Sequence, residues 1–314
     1  MEKRLPNKQF QQMVPLLREK GFYEHQEQRE ISWPEYNLSQ IEDAKDTLMF
    51  IRDSVDRTKY MDADGKTGRP LTDPKELAKA ILICEALGFT ERQAEGWIDI
   101  LGLFAGIYSH LDDRTIGDAY GRMEVLYILK QVFENSKTSD GILSGDGSGL
   151  EASRKQNYES DKNYGEYIVN IVDSREVVQA FDISGKQESR IMIKLVEQAE
   201  GDSLALDAGF NCRKLVSKIN ELGMTPFIFP KKNNILNGRL AWKLMYTELY
   251  YDVIQWLINY HQRSHAEGFY SSFKRKNKPL MKRRSLCRLS QITARIILHN
   301  RRKLSYFNKL ANTS

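Results

Sequence analysis

A stretch near the C-terminus combines the side-chain types that hold metal ions and phosphate groups. Residues 259–278, with the sequence NYHQRSHAEGFYSSFKRKNK, are predicted to form one helix. At about 100° of rotation per residue, an aromatic hydroxyl, a guanidinium, a carboxylate and an ammonium then share a face roughly 60° wide. These side chains are Tyr260, Arg263, Glu267 and Lys274. A single carboxylate among cations suits a divalent metal ion that sits against a phosphate group.

The carboxylate of this face, Glu267, is the last acidic side chain of the chain, and thirteen Lys and Arg residues follow it. Arg263 precedes Glu267 by four residues, which is close enough on a helix to keep the carboxylate ionised. The same pair is also common on solvent-exposed helices, where it has no chemical role. A catalytic interpretation therefore requires partner carboxylates from elsewhere in the chain.

Two aspartates could supply those partners. Asp146 ends a short predicted strand in GILSGDGS, and Asp207 ends another in SLALD. Converged carboxylates repel one another unless a cation neutralises them, and Mg²⁺ takes oxygen ligands while keeping positions for water and phosphate. Gly147 and Gly149 leave room for another group to approach the backbone. Each aspartate also has a simpler interpretation, Asp207 as a helix N-cap and Asp146 as a turn residue.

The second half of the chain is predicted to be an α/β domain. Strands are expected at 142–146, 164–173, 176–183, 203–207 and 226–230, and helices at 189–199, 213–222 and after 232. This order resembles the ribonuclease H-like fold, a mixed five-stranded sheet with flanking helices whose first and fourth strands are neighbours. An acid closing each of those strands would meet the other at one edge of the sheet, and a helix after the last strand can bring a third.

The N-terminal part of the chain is predicted to be all-helical. Three domains are expected: residues 1–66 as a helical extension, residues 67–136 as a second helical region, and residues 137–314 as the α/β domain with basic C-terminal helices. Residues 62–70, DADGKTGRP, are rich in turn-forming residues and are predicted to be a linker.

The second helical region contains the outline of a helix-turn-helix. Gly88 is a C-cap that ends one predicted helix, and Thr90 with Gln93 forms a capping box that opens the next. Arg92 and Gln93 could reach base edges from that position, but any helical bundle contains such pairs and the helix start could equally be solvated.

The distribution of charge predicts a polyanionic partner for the C-terminal third. The chain has 314 residues and a formal net charge of +5, but residues 1–209 carry a net −12 and residues 210–314 a net +17. Aromatic residues lie among the C-terminal cations, which favours nucleic acid over a membrane surface. The three cysteines match no zinc or disulfide spacing, and no leader or membrane span is recognisable. These features predict a soluble cytoplasmic protein.

With these residues taken together, the sequence resembles the DDE transposases of bacterial and archaeal insertion sequences. It is most similar to the group whose third acid lies in a Tyr-x2-Arg-x3-Glu-x6-Lys signature, which the four residues of the predicted helical face match in every spacing. Asp146 in GDGSGL resembles the first acid of the family. Asp207 in DAGF resembles the second, although this chain has Phe210 where the family more commonly has Tyr. The likeness covers roughly residues 68–303.

The resemblance implies metal-dependent cleavage of double-stranded DNA at inverted-repeat ends and strand transfer into target DNA. It implies that Asp146, Asp207 and Glu267 are catalytic and hold two Mg²⁺ ions, with Mn²⁺ as a possible substitute. The DNA-binding side chains would be Tyr260, Arg263, Lys274, Arg275 and Lys276. It also implies a homodimer assembled on DNA, association with the nucleoid in the cytoplasm and no membrane partner.

Two alternatives stay open from the sequence. One is a non-catalytic DNA-binding protein that has kept the fold and the basic face, and the other is a ribonuclease H-like nuclease that cuts without strand transfer. About 60 residues separate Asp207 from Glu267, which leaves little room for the large inserted β domain of some relatives. The processing of the second DNA strand is therefore open.

Overall fold

The computed structural model describes residues 7–23, 30–60, 72–152, 166–184, 188–231 and 234–313, so the predicted linker at 62–70 lies outside the described residues. The chain forms two compact units. The sheet unit takes its residues from 1–30, 138–150 and 166–272, and the helical unit from 31–137, 151–165 and 273–314. The predicted segments do not map one to one onto these units, because the C-terminal residues predicted to belong with the sheet group with the helices.

The described residues form thirteen α-helices and five strands. In chain order they are α1 (Asn7–Glu19), α2 (Trp33–Ile41), α3 (Asp43–Asp56), α4 (Pro74–Leu87), α5 (Glu91–Ala105), α6 (Asp113–Ala119), α7 (Met123–Ser136), β1 (Ile142–Leu150), β2 (Glu166–Asp173), β3 (Val178–Ser184), α8 (Glu188–Leu195), β4 (Ser203–Leu206), α9 (Arg213–Glu221), β5 (Thr225–Ile228), α10 (Leu240–Tyr251), α11 (Val253–His261), α12 (Ser264–Lys276) and α13 (Ser285–Thr313). None of these helices has both the length and the apolar character that a membrane crossing requires.

Helix boundaries in the helical unit follow the capping residues of the sequence. Gly88 ends α4 with φ +66°, a left-handed conformation that glycine adopts without strain. The predicted capping box of Thr90 and Gln93 opens α5. Helices α6 and α7 are separated by a short turn at residues 120–122.

The long helix α13 is the centre of the helical unit and packs against α2, α3, α4 and α7. Its Arg295 Nε lies 2.6 Å from Glu85 Oε2 of α4, and both side chains are 7% exposed. Gln291 Nε2 donates to the same carboxylate at 2.9 Å, and Tyr120 donates to it at 2.8 Å. A buried charge needs such partners, so this network fixes the register of α13 on α4.

The sheet has the strand order β3-β2-β1-β4-β5. β1 pairs antiparallel with β2, β2 pairs antiparallel with β3, and β1–β4 and β4–β5 are parallel pairs. The predicted neighbouring of the first and fourth strands is therefore confirmed, as are the five-stranded mixed sheet, its flanking helices and the helical N-terminal region. Parallel neighbours need a crossover connection, and α8 and α9 provide one each.

Two local features determine where the strands near the candidate site end. The β2–β3 hairpin closes because Asp173 accepts hydrogen bonds from the backbone N–H groups of Arg175 and Val177, each at 2.9 Å. β1 was predicted to end at Asp146, but it continues to Leu150, since its pairing with β2 extends to Glu166. Asp146 therefore lies inside a strand.

Candidate functional site

The register between β1 and β4 places two acids side by side. Gly145 of β1 pairs with Leu206 of β4, and the residues that follow them are Asp146 and Asp207. Parallel strands lie about 4.8 Å apart, and neighbours in register point to the same face of the sheet. The backbone hydrogen bonds of the sheet therefore bring these two predicted site residues together.

Glycine is required at two positions of β1 around Asp146. A Cβ atom at Gly145 would lie 2.7 Å from Leu206 Cδ2 and 2.8 Å from a methyl group of Met192. A Cβ atom at Gly147 would lie 2.6 Å from the hydroxyl oxygen of Tyr167. The group that approaches the backbone at Gly147 is thus a side chain of the neighbouring strand β2.

The carboxyl group of Asp146 is partly buried, and its pKa is raised above the ordinary aspartate value. Burial is the largest cause, and the Gly147 N–H group opposes it. The charges of Glu267, Asp207 and Glu188 raise the pKa further. The charges of three other carboxylates therefore act on Asp146.

Asp207 is exposed and caps a short turn. It precedes the 3₁₀ turn Ala208–Phe210, and its Oδ2 accepts a hydrogen bond from the Gly209 N–H at 3.3 Å. The simpler interpretation of Asp207 as an N-cap is thus observed, but it engages only one carboxylate oxygen. The turn itself is anchored by the buried ring of Phe210 and by Asn211, whose Nδ2 donates to the Phe229 carbonyl at 3.0 Å.

The predicted helix over residues 259–278 is two helices. α11 ends at His261 and α12 begins at Ser264. At the junction the N–H groups of Gln262 and Arg263 donate to carbonyls three residues earlier, which tightens the chain into a 3₁₀-like turn. The expectation of one continuous face is therefore corrected, because helical periodicity does not carry through such a turn.

Arg263 nevertheless connects the two helices through its side chain. Its guanidinium carbon lies 5.6 Å from the centre of the Tyr260 ring, and Nη1 pairs with Glu267 Oε1. Burial lowers the pKa of Arg263, but the charges of Tyr260, Glu267 and Asp207 outweigh burial and raise it. The Arg263 Nε atom is buried and has no hydrogen-bond partner among the described residues.

Tyr260 is an anchor of α11. It is 8% exposed, its ring stacks on Trp256 at 5.4 Å between centroids, and it contacts Phe229 at the same distance. Burial raises the pKa of Tyr260 to about 12, although Arg263 opposes this shift. Contact of Tyr260 with DNA stays a prediction, and its observed contacts hold the helix in the core.

Side-chain contacts of α12 with the sheet fix the position of Glu267. The Tyr270 hydroxyl lies 2.9 Å from the Ile168 carbonyl oxygen and 3.2 Å from that of Asp146. A Cβ atom at Gly268 would lie 2.8 Å from Glu176 Oε1, so α12 approaches the β2–β3 turn closely at this residue. These contacts hold α12, and with it Glu267, against β1, which carries Asp146, and against β2.

The remaining predicted DNA-binding residues are at the end of α12. Lys274, Arg275 and Lys276 form its last turn, where cations stabilise the negative end of the helix dipole, and all three are exposed. They belong to the helical unit, whereas the three acids belong to the sheet unit. Their contact with DNA stays a prediction.

Sequence reasoning missed the Tyr167–Glu188 pair and Asn170. The Tyr167 hydroxyl donates to Glu188, the first residue of α8. Burial is the largest cause of the raised Tyr167 pKa, and the Glu188 carboxylate raises it further.

Asn170 is directly opposite Asp146 across the β1–β2 pair. The Asn170 amide is fully buried, and it has no hydrogen-bond partner in the described parts of the chain. An Asn inside the apolar run YIVNIV was a usable signal, because such an interruption is costly.

The carboxylates of the site are the oxygen donors that Mg²⁺ prefers, and their mutual repulsion is what a cation would relieve. Within the described residues, however, no three His, Cys, Asp or Glu side chains are arranged to hold a metal ion. Glu267 pairs with Arg263, and one oxygen of Asp207 caps a turn. The carboxylate oxygens of Asp146, Asp207 and Glu267 fit a divalent cation. To bind such a cation together with the two aspartates, Glu267 would have to break its ion pair with Arg263.

Comparison of the chain with protein-family models, with curated proteins and with solved structures found no significant match. A functional assignment therefore depends on the residues and the geometry of the chain itself.

Proposed function

We propose that this chain is a DDE transposase with a ribonuclease H-like fold, which cleaves DNA at insertion-sequence ends and joins the freed ends to target DNA. One observation carries the proposal. Asp146 and Asp207 directly follow the paired residues of two parallel neighbouring strands, and Glu267, from a helix after the last strand, is close enough to raise the Asp146 pKa.

Asp146, Asp207 and Glu267 would hold two Mg²⁺ ions, or Mn²⁺ in their place. Such ions activate the attacking water or 3′-hydroxyl and stabilise the leaving oxygen, so that no covalent protein–DNA intermediate is needed. The Glu188 carboxylate, held by Tyr167, adds a fourth negative charge to the site and would increase its affinity for cations.

Arg263 is the residue best placed to bind a DNA phosphate at this site. Its guanidinium stays charged, and its Nη1 pairs with the carboxylate of Glu267. Guanidinium groups bind phosphate oxygens with two parallel hydrogen bonds. A phosphate on Arg263 would take over the interaction that now holds Glu267 and free that carboxylate for the metal site.

The repulsion at Asp146 favours an enzyme over a DNA-binding protein. A partly buried carboxylate that other carboxylates repel destabilises the folded state, and a protein that only binds DNA gains nothing from it. The alternative of a nuclease without strand transfer shares the same acids. Only the reaction products separate that nuclease from a transposase.

The test uses the purified chain, Mg²⁺ and labelled DNA taken from both flanks of its own gene, with a supercoiled plasmid as target. We expect 3′-hydroxyl ends at fixed positions in the flanks and products in which these ends are joined to the plasmid. Cut DNA without joined products would indicate a nuclease. Binding that weakens with salt, without any cutting, would indicate a binding protein.

The Glu267→Gln variant assigns the activity to the site. It removes the charge and keeps the shape, so we expect cleavage to fall by about 10³-fold or more while DNA binding survives. Glu248→Gln is the matched control, because Glu248 is an exposed acid of α10. Cleavage by Glu267→Gln at the wild-type rate would contradict the proposed role of Glu267.

A further inference from the structure

Helix α5 of the helical unit is apolar on two nearly opposite faces. One face is buried and consists of Ala94, Ile98, Gly102 and Ala105. The other, called here the apolar stripe, consists of Trp97, Ile100, Leu103 and Phe104, which are 46%, 63%, 67% and 65% exposed. A helix that is apolar all round is normally covered on all sides. No residue that the structure describes covers the apolar stripe fully.

The surroundings of the apolar stripe argue against DNA and against an anionic membrane. The sequence from Gln93 to Asp113 contains no Lys or Arg, and Glu95 and Asp99 flank the stripe on α5. Arg92, which could have reached base edges or been solvated, has its Nε 3.4 Å from Asp113 Oδ2. Binding to either polyanion depends on cations at the contact, so a protein surface is the better occupant.

The size of the apolar stripe matches one half of a two-fold interface. Four large side chains, each about half exposed or more, present on the order of 400–500 Å² of apolar surface, near the upper end of what a monomer normally exposes. Two copies of such a patch would bury about 800–1,000 Å² in total, which is the size of a weak interface.

An apolar recess lies beside the stripe. A cavity of about 170 Å³ is lined mainly by Leu101 of α5 and by apolar residues of α3, α4 and α13 that include Ile51, Ile83 and Leu298, and it also contacts Asp43, Arg301 and Arg302. Leu101 follows Trp97 by four residues and precedes Phe104 by three, so it neighbours both on the helix surface. One face thus presents projecting rings next to an apolar recess, and a two-fold interface requires such self-complementarity.

We propose that the apolar stripe binds the apolar stripe of a second copy of this chain, with the two α5 helices antiparallel and Ile100 close to the two-fold axis. In that pairing, residue 104 of one copy faces residue 96 of the other. Residue 96 is Gly96, and a Cβ atom built there meets no atom within 4 Å, so the Phe104 ring of the second copy has room. The dimer forms without DNA and does not depend on the proposed chemistry.

The test is sedimentation velocity on the purified full chain without DNA, from 1 to 100 µM. We expect a dimer in the wild type and a dimer at least 100-fold weaker in Ile100→Glu/Phe104→Glu, because two carboxylates per copy would face each other without a cation. Leu240→Glu is the matched control, since Leu240 is 70% exposed on α10, outside the apolar stripe. A monomeric wild type at 100 µM, or an equally strong dimer in the double variant, would overturn the proposal.

A cross-link locates the contact even if the double variant misfolds. Ile100→Cys near a two-fold axis should form an intermolecular disulfide with oxidised glutathione, which takes up the two electrons and two protons of the paired thiols. Tyr251→Cys, at a position that is 92% exposed on α10, is the control, and the wild type gives the background from its own cysteines. Equal cross-linking of both variants, or binding of the monomer to phosphatidylserine vesicles through Trp97, would count against the two-fold contact.

Discussion

The two strand aspartates and the helix glutamate of the candidate site are positioned by different parts of the chain. Asp146 and Asp207 lie side by side because backbone hydrogen bonds fix the register of β1 and β4. Glu267 has no such ladder, and the side chains of Tyr270, Arg263 and Glu176 around it hold α12 in place.

This contrast teaches that the site has a rigid half, which consists of Asp146 and Asp207, and an adjustable half, which consists of Glu267 on α12. Changing a side chain does not move a residue in a central strand, whereas a helix held by a few side-chain contacts shifts when one of them is lost. Substitutions at the aspartates should therefore remove chemistry without moving anything, and substitutions around α12 should move Glu267 without removing it.

The largest effect is expected for Asp146→Asn in the rigid half. The amide keeps the shape of the side chain but cannot serve as an anionic ligand, so we expect DNA cleavage to fall by about 10³-fold or more. The variant should also be at least as stable as the wild type without divalent cations, because it lacks the repulsion that raises the Asp146 pKa. Cleavage assays and thermal melting measure both effects. A strongly destabilised variant would show that Asp146 serves the fold instead.

A smaller loss is expected for Tyr270→Phe, which tests the adjustable half. The variant loses the hydroxyl that lies 2.9 Å from the Ile168 carbonyl, at a cost of about 1 kcal/mol in the free energy of unfolding. A shift of Glu267 by about 1 Å should slow cleavage by roughly 10- to 100-fold and raise the Mg²⁺ concentration needed for half-maximal rate. Tyr251→Phe is the control, because Tyr251 is exposed. An unchanged Mg²⁺ dependence would mean that Tyr270 does not position Glu267.

Asn170→Leu should separate stability from activity. The Asn170 amide is buried without a hydrogen-bond partner in the described residues, and leucine fills a similar volume without that cost. We expect a gain of about 1 kcal/mol, or roughly 2–4 °C in Tm, together with about 10-fold slower cleavage. Ser217→Ala on α9 removes another buried hydroxyl without a partner and should leave cleavage intact. If both variants cleave equally well, the amide of Asn170 opposite Asp146 has no part in the activity.

The smallest effect is the pH dependence of stability without divalent cations. Folding raises the pKa of Asp146, mainly through burial. The Asp146 carboxyl of the folded state therefore keeps its proton at pH values above the ordinary aspartate pKa of about 3.9. In the interval up to the raised pKa the folded state binds more protons than the unfolded chain, so the free energy of unfolding falls as pH rises. Asp146→Asn lacks this contribution, and its advantage in Tm over the wild type should grow from pH 3.5 to pH 7. A constant difference would contradict the raised pKa.

The sequence allowed the rigid half of the site to be predicted better than the adjustable half. The alternating strands with Asp146 and Asp207 specify where two acids meet, although β1 continues past Asp146, and caps such as Gly88 specify helix ends. The break between α11 and α12 could not be predicted, because Gln262 and Arg263 are ordinary helix residues and only the tertiary fold tightens their turn. Nothing in the sequence distinguished Tyr270 from the other C-terminal aromatic residues, because its hydroxyl finds the Ile168 carbonyl only once α12 packs on β2.

The same limit applies to two other parts of the chain. Glu188 begins a helix, where an acid is ordinary because it complements the helix dipole, so nothing marked it as a neighbour of Asp146. The apolar residues of α5 occur on two faces of the helix, and periodicity alone could not show which four would be left exposed. In both cases the deciding information is which element covers which, and this is set by packing over long sequence distances.

The most direct test of the central claim is Mn²⁺ binding, measured by electron paramagnetic resonance on the chain bound to DNA from its own flanks. The wild type should bind two ions that Mg²⁺ displaces, and Asp146→Asn should bind Mn²⁺ at least 10-fold more weakly, while Glu248→Gln binds like the wild type. Equal Mn²⁺ binding by the wild type and Asp146→Asn would contradict a metal site formed by Asp146, Asp207 and Glu267.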